Sequence, residues 1–381
     1  MDTSRPPNDA PARLWSLDAL RGVCAGIVFL SHWHLWSHFP PVGAAERAVR
    51  TIGEGLHDAV ALLTWPTGGQ HPAVIAFFVL SGFCIYYPTA RRQRLGEPAT
   101  GWRNYFRRRF LRIAPVYWAA SVLGLGFVAA EAWRPSADTL LTLHAIASHA
   151  EVGARFLGVA GAYPREILAG NYILNTVSGE ILMYAAYPAF LFFATRSRWI
   201  LLSAAFLGLQ VVAVASLKHL SPYWVFNSVL MLGIFWHAGA LAAHLFLTRR
   251  GHVTALHLVA AWVGFLALKS VPHFSGLNLL KQAAWGLVCF LGLLWAVRFE
   301  LRHGALGEHR VIAALRRLGG ISYSLYAVHT PVIMLVSWAL IQGGSRSYTL
   351  QLALTLTASL LATWIVHRCV ERPFHRAQHA S

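Results

Sequence analysis

Ten windows of about 20 predominantly apolar residues, the length that crosses a bilayer as a helix, recur from end to end of this 381-residue chain. No other feature restricts the fold as strongly. In hydrocarbon every backbone N–H and C=O must be satisfied within the protein, so such windows fold as helices. The spans read from the sequence are 15–37, 72–89, 113–132, 172–194, 199–217, 223–247, 253–271, 280–297, 320–341 and 348–368. The expected fold is all-α, a polytopic membrane protein with about ten transmembrane helices.

Only 12% of the residues are charged and the mean hydropathy is +0.49, whereas about a quarter of an ordinary soluble chain is charged. In a soluble protein the net charge of +17 would point to nucleic acid. Here the charges lie between spans, where they report orientation. Threaded from a cytoplasmic N-terminus, the inside segments hold more than twice as many lysines and arginines as the outside ones. Both termini are therefore expected in the cytoplasm, and the lipid bilayer rather than nucleic acid is the expected partner. Met1 to Arg13 is polar and proline-containing, unlike a cleavable signal. This gives a short tail over 1–14, a transmembrane domain over 15–369 and a second tail over 370–381.

Against this background a few polar side chains stand out, because a charged group at membrane depth is costly and marks function by default. Arg21 and His32 lie in the first span. Eleven residues at about 100° each return to nearly the same helical face, roughly 16 Å further along the axis. The two therefore share a stripe. Glu180 sits in the fourth span with Tyr184 one turn on, which allows either a structural lock between helices or a catalytic or acceptor-binding group. Ser322, Tyr326 and His329 follow i, i+4, i+7 spacing and form one polar stripe in the ninth span.

The densest charge lies between spans two and three: Arg91, Arg92, Arg94, Arg103, Arg107, Arg108, Arg109 and Arg112. Arginines there bind anionic lipid headgroups. Arg109 and Arg112, one helical turn apart at the membrane face, also suit a phosphorylated cytosolic ligand. Coenzyme A carries such phosphates.

Other chemistries find less support. Cys24, Cys84, Cys289 and Cys369 form no C-x-x-C pair and read as inert thiols. His34 and His38 have ligand spacing but no third ligand, so no metal is expected. There is no G-x-S-x-G elbow, phosphate loop or dinucleotide fingerprint. Two outer segments, Phe39 to His71 and Trp133 to Asn171, are longer than turns, and the second carries His144, His149, Glu151, Arg155, Arg165 and Glu166.

Ordered blocks along nearly the whole chain carry a family resemblance. They are Leu17 to His32 with its arginine, ten residues, histidine arrangement; Phe77 to Phe83; Arg108 to Tyr117; Ser178 to Pro188 around Glu180; Ile321 to Pro331 around His329; and Val370 to Phe374. In these the chain resembles the acyltransferase-3 family of integral membrane O-acyltransferases.

The resemblance implies transfer of an acyl group, usually acetyl, from cytosolic acetyl-CoA to a hydroxyl of a carbohydrate, glycolipid or other envelope or secreted acceptor. It places the protein in a bacterial inner membrane. Arg21 and His32 match the family's essential pair, and Arg109 and Arg112 its cytoplasmic R-x-x-R. On this reading His32, Arg21 and Glu180 are catalytic, and Arg108, Arg109 and Arg112 hold coenzyme A. Tyr184, Ser322, Tyr326 and His329 face the acceptor. His32 serves as general base or carries the acetyl group transiently, since an imidazole titrates near neutrality. Two departures stand out. Asn175 replaces a tryptophan common in the family, and no SGNH domain follows the tenth span, so a second transfer step would need a separate periplasmic transferase. The rival reading is a proton-coupled transporter or exporter of a lipid-linked sugar.

Overall fold

The computed structural model describes residues 14–35, 39, 43–64, 71–98, 100–136, 138–145, 152–153, 156–157, 170–216, 224–272 and 277–377. The described elements are α1 (Trp15–Leu35), α2 (Gly43–Thr64), α3 (Pro72–Arg94), α4 (Trp102–Trp133), α5 (Thr139–Ala145), α6 (Leu174–Ala194) and α7 (Trp199–Ser216). After them come α8 (Trp224–Leu247), α9 (Ala255–Ser270), α10 (Leu277–Arg302), α11 (Arg310–Gly320), α12 (Ser322–Gln342), α13 (Tyr348–Val366) and α14 (Arg372–Ala377). Among the described residues there is no strand.

Each of the ten spans expected from the sequence falls on a helix. By length and composition, α3, α4, α6, α10, α12 and the continuous 348–374 segment can each cross a membrane. Shorter apolar helices cover 199–212, 231–247 and 255–270. In α1 the polar Asp18, Arg21 and His32 dilute an otherwise apolar helix. The protein is an all-α, multi-pass membrane protein.

Three segments expected as connections are helical instead. The arginine-rich stretch before span three is the first third of α4, because Arg and Leu are good helix formers and Trp102 to Ala114 contains no glycine or proline. In the outer stretch 39–71 lies α2, an amphipathic helix with no buried residue. Its Val49, Ile52, Leu56 and Leu63 are exposed and recur at helical spacing. The 298–319 connection carries α11. His38, His149, Glu151, Arg155, Arg165 and Glu166, along with most of the first tail, lie outside the described residues.

Packing relies on close backbone approach, as expected where lipid gives helices no hydrophobic reason to associate. α3 and α8 form the most intimate pair, and α1 lies against α11. A Cβ on Gly82 would collide with the Trp236 carbonyl, and one on Gly239 with that of Val79. At the other crossing, Gly22 meets the Leu315 carbonyl and Gly319 that of Asp18. Glycine alone permits both.

Long-range caps fix the helix ends. The Glu300 carboxylate of α10 accepts from Trp15 N at 2.7 Å, Ser16 N at 2.9 Å and Ser16 Oγ at 2.6 Å. A carboxylate from another helix thus sits on the positive end of α1. His71 caps α3, its Nδ1 accepting from Ala73 N at 3.2 Å, with Pro72 at the first helical position. Buried Lys281 donates to the last carbonyls of α9, Lys269 O at 3.1 Å and Val271 O at 2.9 Å. Asn171 ties the start of α6 inward through Ala327 O at 2.9 Å. After α13 a π turn, His367–Glu371, brings Glu371 within 2.6 Å of Ser324 Oγ and 2.8 Å of His367 Nδ1.

Candidate active site

Residues from α1, α3, α4, α6 and α12 line one cavity, part of it open to solvent. Helical periodicity selects the lining. α1 contributes Arg21, α3 contributes Phe77, Ser81 and Cys84, and α4 contributes Arg109 and Arg112. α6 adds Thr176, Glu180 and Tyr184, and α12 adds Ser322, Tyr323 and Tyr326. Three guanidinium groups and one carboxylate thus face a single cavity.

Arg21, Arg109 and Glu180 are held by neighbouring side chains. Arg21 pairs with Asp18 at 3.3 Å on its own helix. The Arg109 guanidinium carbon lies 5.5 Å from the Tyr105 ring centre and 5.3 Å from that of Tyr184, a cation–π cradle that orients it. Glu180 Oε1 accepts from Ser81 Oγ at 2.9 Å and from the Tyr184 hydroxyl. The Tyr326 hydroxyl meets Thr176 Oγ1 at 2.5 Å, and Ser322 Oγ donates to Gly319 O at 2.7 Å.

The histidine pair adjoins this cavity across Tyr326, whose ring lies 5.7 Å from Phe77 and 6.3 Å from His329. His32 Nδ1 is 2.9 Å from His329 Nε2. The two rings stack at 5.2 Å with 19° between planes. His329 Nδ1 in turn reaches Leu325 O at 2.8 Å. On the other side of His32 are the edge of Tyr172 at 5.8 Å and His71 at 6.2 Å, the latter bonded to Ser31 Oγ at 3.3 Å.

Of the residues singled out in the sequence, Arg21, Arg109, Arg112, Glu180, Tyr184, Ser322 and Tyr326 come together on the cavity wall. Neither His32 nor His329 lines it. Fully buried His329 turns instead towards His32. Arg108 is exposed, donates to Asn104 O at 3.3 Å and is not on the cavity wall. Asn175 is buried beside Thr176, which takes the place on the lining. His71, Tyr172 and Cys84 were not legible as site residues. The first two sit beside unremarkable loop sequence, and Cys84 was indistinguishable from the other buried thiols. No disulfide joins the four cysteines, and Cys369 is exposed rather than buried.

Within the helical membrane bundle, a cavity lined by three arginines and a carboxylate thus lies beside a hydrogen-bonded histidine pair. The family model described as "Acyltransferase domain" matches residues 14–368. The chain belongs to this acyltransferase-3 family and is an integral membrane acyltransferase. Exopolysaccharide production protein ExoZ of Rhizobium meliloti (strain 1021) is 27% identical to it over 316 residues, covering 81% of this chain and 90% of ExoZ. No solved structure matches the chain.

Proposed function

We propose that the protein is an O-acetyltransferase of a bacterial inner membrane, moving the acetyl group of cytosolic acetyl-CoA to a hydroxyl of an exopolysaccharide or a related envelope carbohydrate. Both termini face the cytoplasm in this reading, so the arginine end of α4 meets the donor. The carrying observation is that Arg21, Arg109 and Arg112 converge on one cavity whose wall residue Tyr326 contacts His329, the hydrogen-bond partner of His32. Guanidinium forks suit the phosphates of coenzyme A, and the thioester arm runs outward between α3, α6 and α12 past Tyr326. The name of the relative ExoZ supports a polysaccharide acceptor.

At the outer end of the path His32 acts as general base. It takes the proton of the acceptor hydroxyl as that oxygen bonds to the thioester carbonyl carbon. The carbon–sulfur bond then breaks, and the imidazolium returns the proton to the departing thiolate, so no net proton is released. Positioning and proton transfer of this kind supply on the order of 10²–10⁴-fold each.

The test uses the full-length protein in lipid nanodiscs with acetyl-CoA labelled in the acetyl group, and surface polysaccharide from a deletion strain as acceptor. Label should enter the polysaccharide with wild-type protein and not with His32→Ala. Polysaccharide that stays unlabelled while free acetyl-CoA is intact would sink the proposal. So would a His32→Ala protein that labels at the wild-type rate.

A further inference from the structure

We propose that His329 is a positioning residue that fixes the tautomer of His32, leaving Nε2 of His32 as the basic nitrogen presented to the acceptor hydroxyl. This rests on the acyl-transfer reading above and assigns His329 a role other than substrate contact.

The hydrogen-bond chain permits one neutral assignment. The Leu325 carbonyl oxygen only accepts, so His329 Nδ1, 2.8 Å away, must carry a proton. A neutral imidazole has one donor and one acceptor nitrogen, which makes His329 Nε2 an acceptor. That atom faces His32 Nδ1 at 2.9 Å, a distance at which two lone pairs repel. His32 Nδ1 is therefore protonated, and its Nε2 keeps the lone pair. A doubly protonated His329 would reverse the chain. It would also place a charge at a fully buried position where no carboxylate is among its hydrogen-bond partners, an arrangement that burial disfavours.

Packing holds the same geometry. The Phe29 and His329 ring centres lie 5.8 Å apart at 80°, and those of Tyr172 and His32 5.8 Å apart at 84°, so each imidazole is packed against an aromatic neighbour. During transfer the proton enters and leaves at His32 Nε2, while the Nδ1 proton stays bonded to His329. The arrangement copies the logic by which a carboxylate orients the histidine of a serine-hydrolase triad. Here a neutral ring backed by a backbone carbonyl does the orienting.

The experiment uses the full-length protein with nitrogen-15 histidine in lipid nanodiscs. The His32 signals are identified by their loss in His32→Ala. Nitrogen NMR should show His32 with a protonated Nδ1 and a bare Nε2 in the wild type. The pattern should persist in His329→Gln, whose amide oxygen can accept from Nδ1–H, and disappear in His329→Phe. With acetyl-CoA as donor, His329→Phe should lower kcat on the order of 10²–10⁴-fold and move the acid limb of its pH profile, with KM for acetyl-CoA unchanged. His329→Gln should recover most of the lost kcat, which a merely structural role would not produce. A wild-type His32 protonated at Nε2 would overturn the inference, as would a His329→Phe enzyme with wild-type kcat and pH profile. If the wild type turned over no acetyl-CoA, the acyl-transfer reading would fall, and the spectrum would still decide the tautomer.

Discussion

His32 Nδ1 and His329 Nε2 stand 2.9 Å apart although 297 positions separate them in the chain. This contact joins α1 to α12 where the arginine-lined cavity ends. Neither residue has a carboxylate partner among its hydrogen bonds; on the proposed mechanism the base is oriented by another imidazole and a carbonyl. The donor end, by contrast, is dense with charge.

Of the three cavity arginines, Arg109 and Arg112 should act on donor binding rather than on chemistry. Arg109→Ala and Arg112→Ala are each expected to raise KM for acetyl-CoA about 10- to 100-fold, the loss of one charge-assisted contact at about 1.5–3 kcal/mol, with little change in saturated kcat. Exposed Arg108→Ala should leave KM unchanged. Steady-state kinetics in nanodiscs check this, and equal effects at all three positions would remove the phosphate clamp.

Tyr184 serves Glu180 through its hydroxyl and Arg109 through its ring face. Tyr184→Phe keeps the face and loses the donor, which should cost about 1 kcal/mol of stability and little donor affinity. Tyr184→Leu loses both and should further raise KM for acetyl-CoA about 2- to 30-fold, matching a cation–π contact of about 0.5–2 kcal/mol. Identical KM values for the two variants would show that the ring does not orient Arg109.

Glu300 makes its contribution far from the cavity. Its three hydrogen bonds to Trp15 and Ser16 complete the start of the helix that carries Arg21 and His32. Glu300→Ala leaves buried amides unsatisfied and should destabilise the protein by about 1–3 kcal/mol, read as a lower Tm in nanodiscs. Activity per folded molecule at low temperature should be preserved. An unchanged Tm would mean that water replaces the cap.

Burial, with His57 adding to it, holds the pKa of His71 down at about 4 at the outer end of α3, against 6.5 in an unfolded chain. The unfolded state therefore binds the proton first. Stability is fully present above about pH 6.5 and is lost as pH falls towards 4, by at most about 3 kcal/mol at 1.36 kcal/mol per unit. His71→Asn keeps a capping acceptor and removes the titration. Its Tm should fall less between pH 7 and 4.5 than that of the wild type, and parallel falls would count against a buried neutral His71.

The polar residues legible in the sequence were those whose cost in a membrane is obvious: Arg21, His32, Glu180 and the stripe on α12. Arg21, Glu180, Ser322 and Tyr326 do meet in one cavity, together with Tyr184, Arg109 and Arg112. Arg108 and His329 lie off the cavity wall for different reasons. Arg108 follows the same basic run as Arg109, and only the helical phase of α4, set by its packing on α12, decides which faces inward. His329 shares a stripe with Ser322 and Tyr326, yet a stripe does not say how far along it the cavity reaches.

Hydropathy and charge by themselves determined that the chain is a multi-pass helical membrane protein, because apolar length and backbone satisfaction in lipid are local properties of each segment. The block order along the chain was enough to mark its family. Only the tertiary structure decided that His32 meets His329, that Glu300 completes α1 and that the Tyr184 ring meets Arg109. Those contacts join residues far apart in sequence, and their geometry depends on glycine-mediated backbone approach between helices, which no periodicity within a single helix encodes.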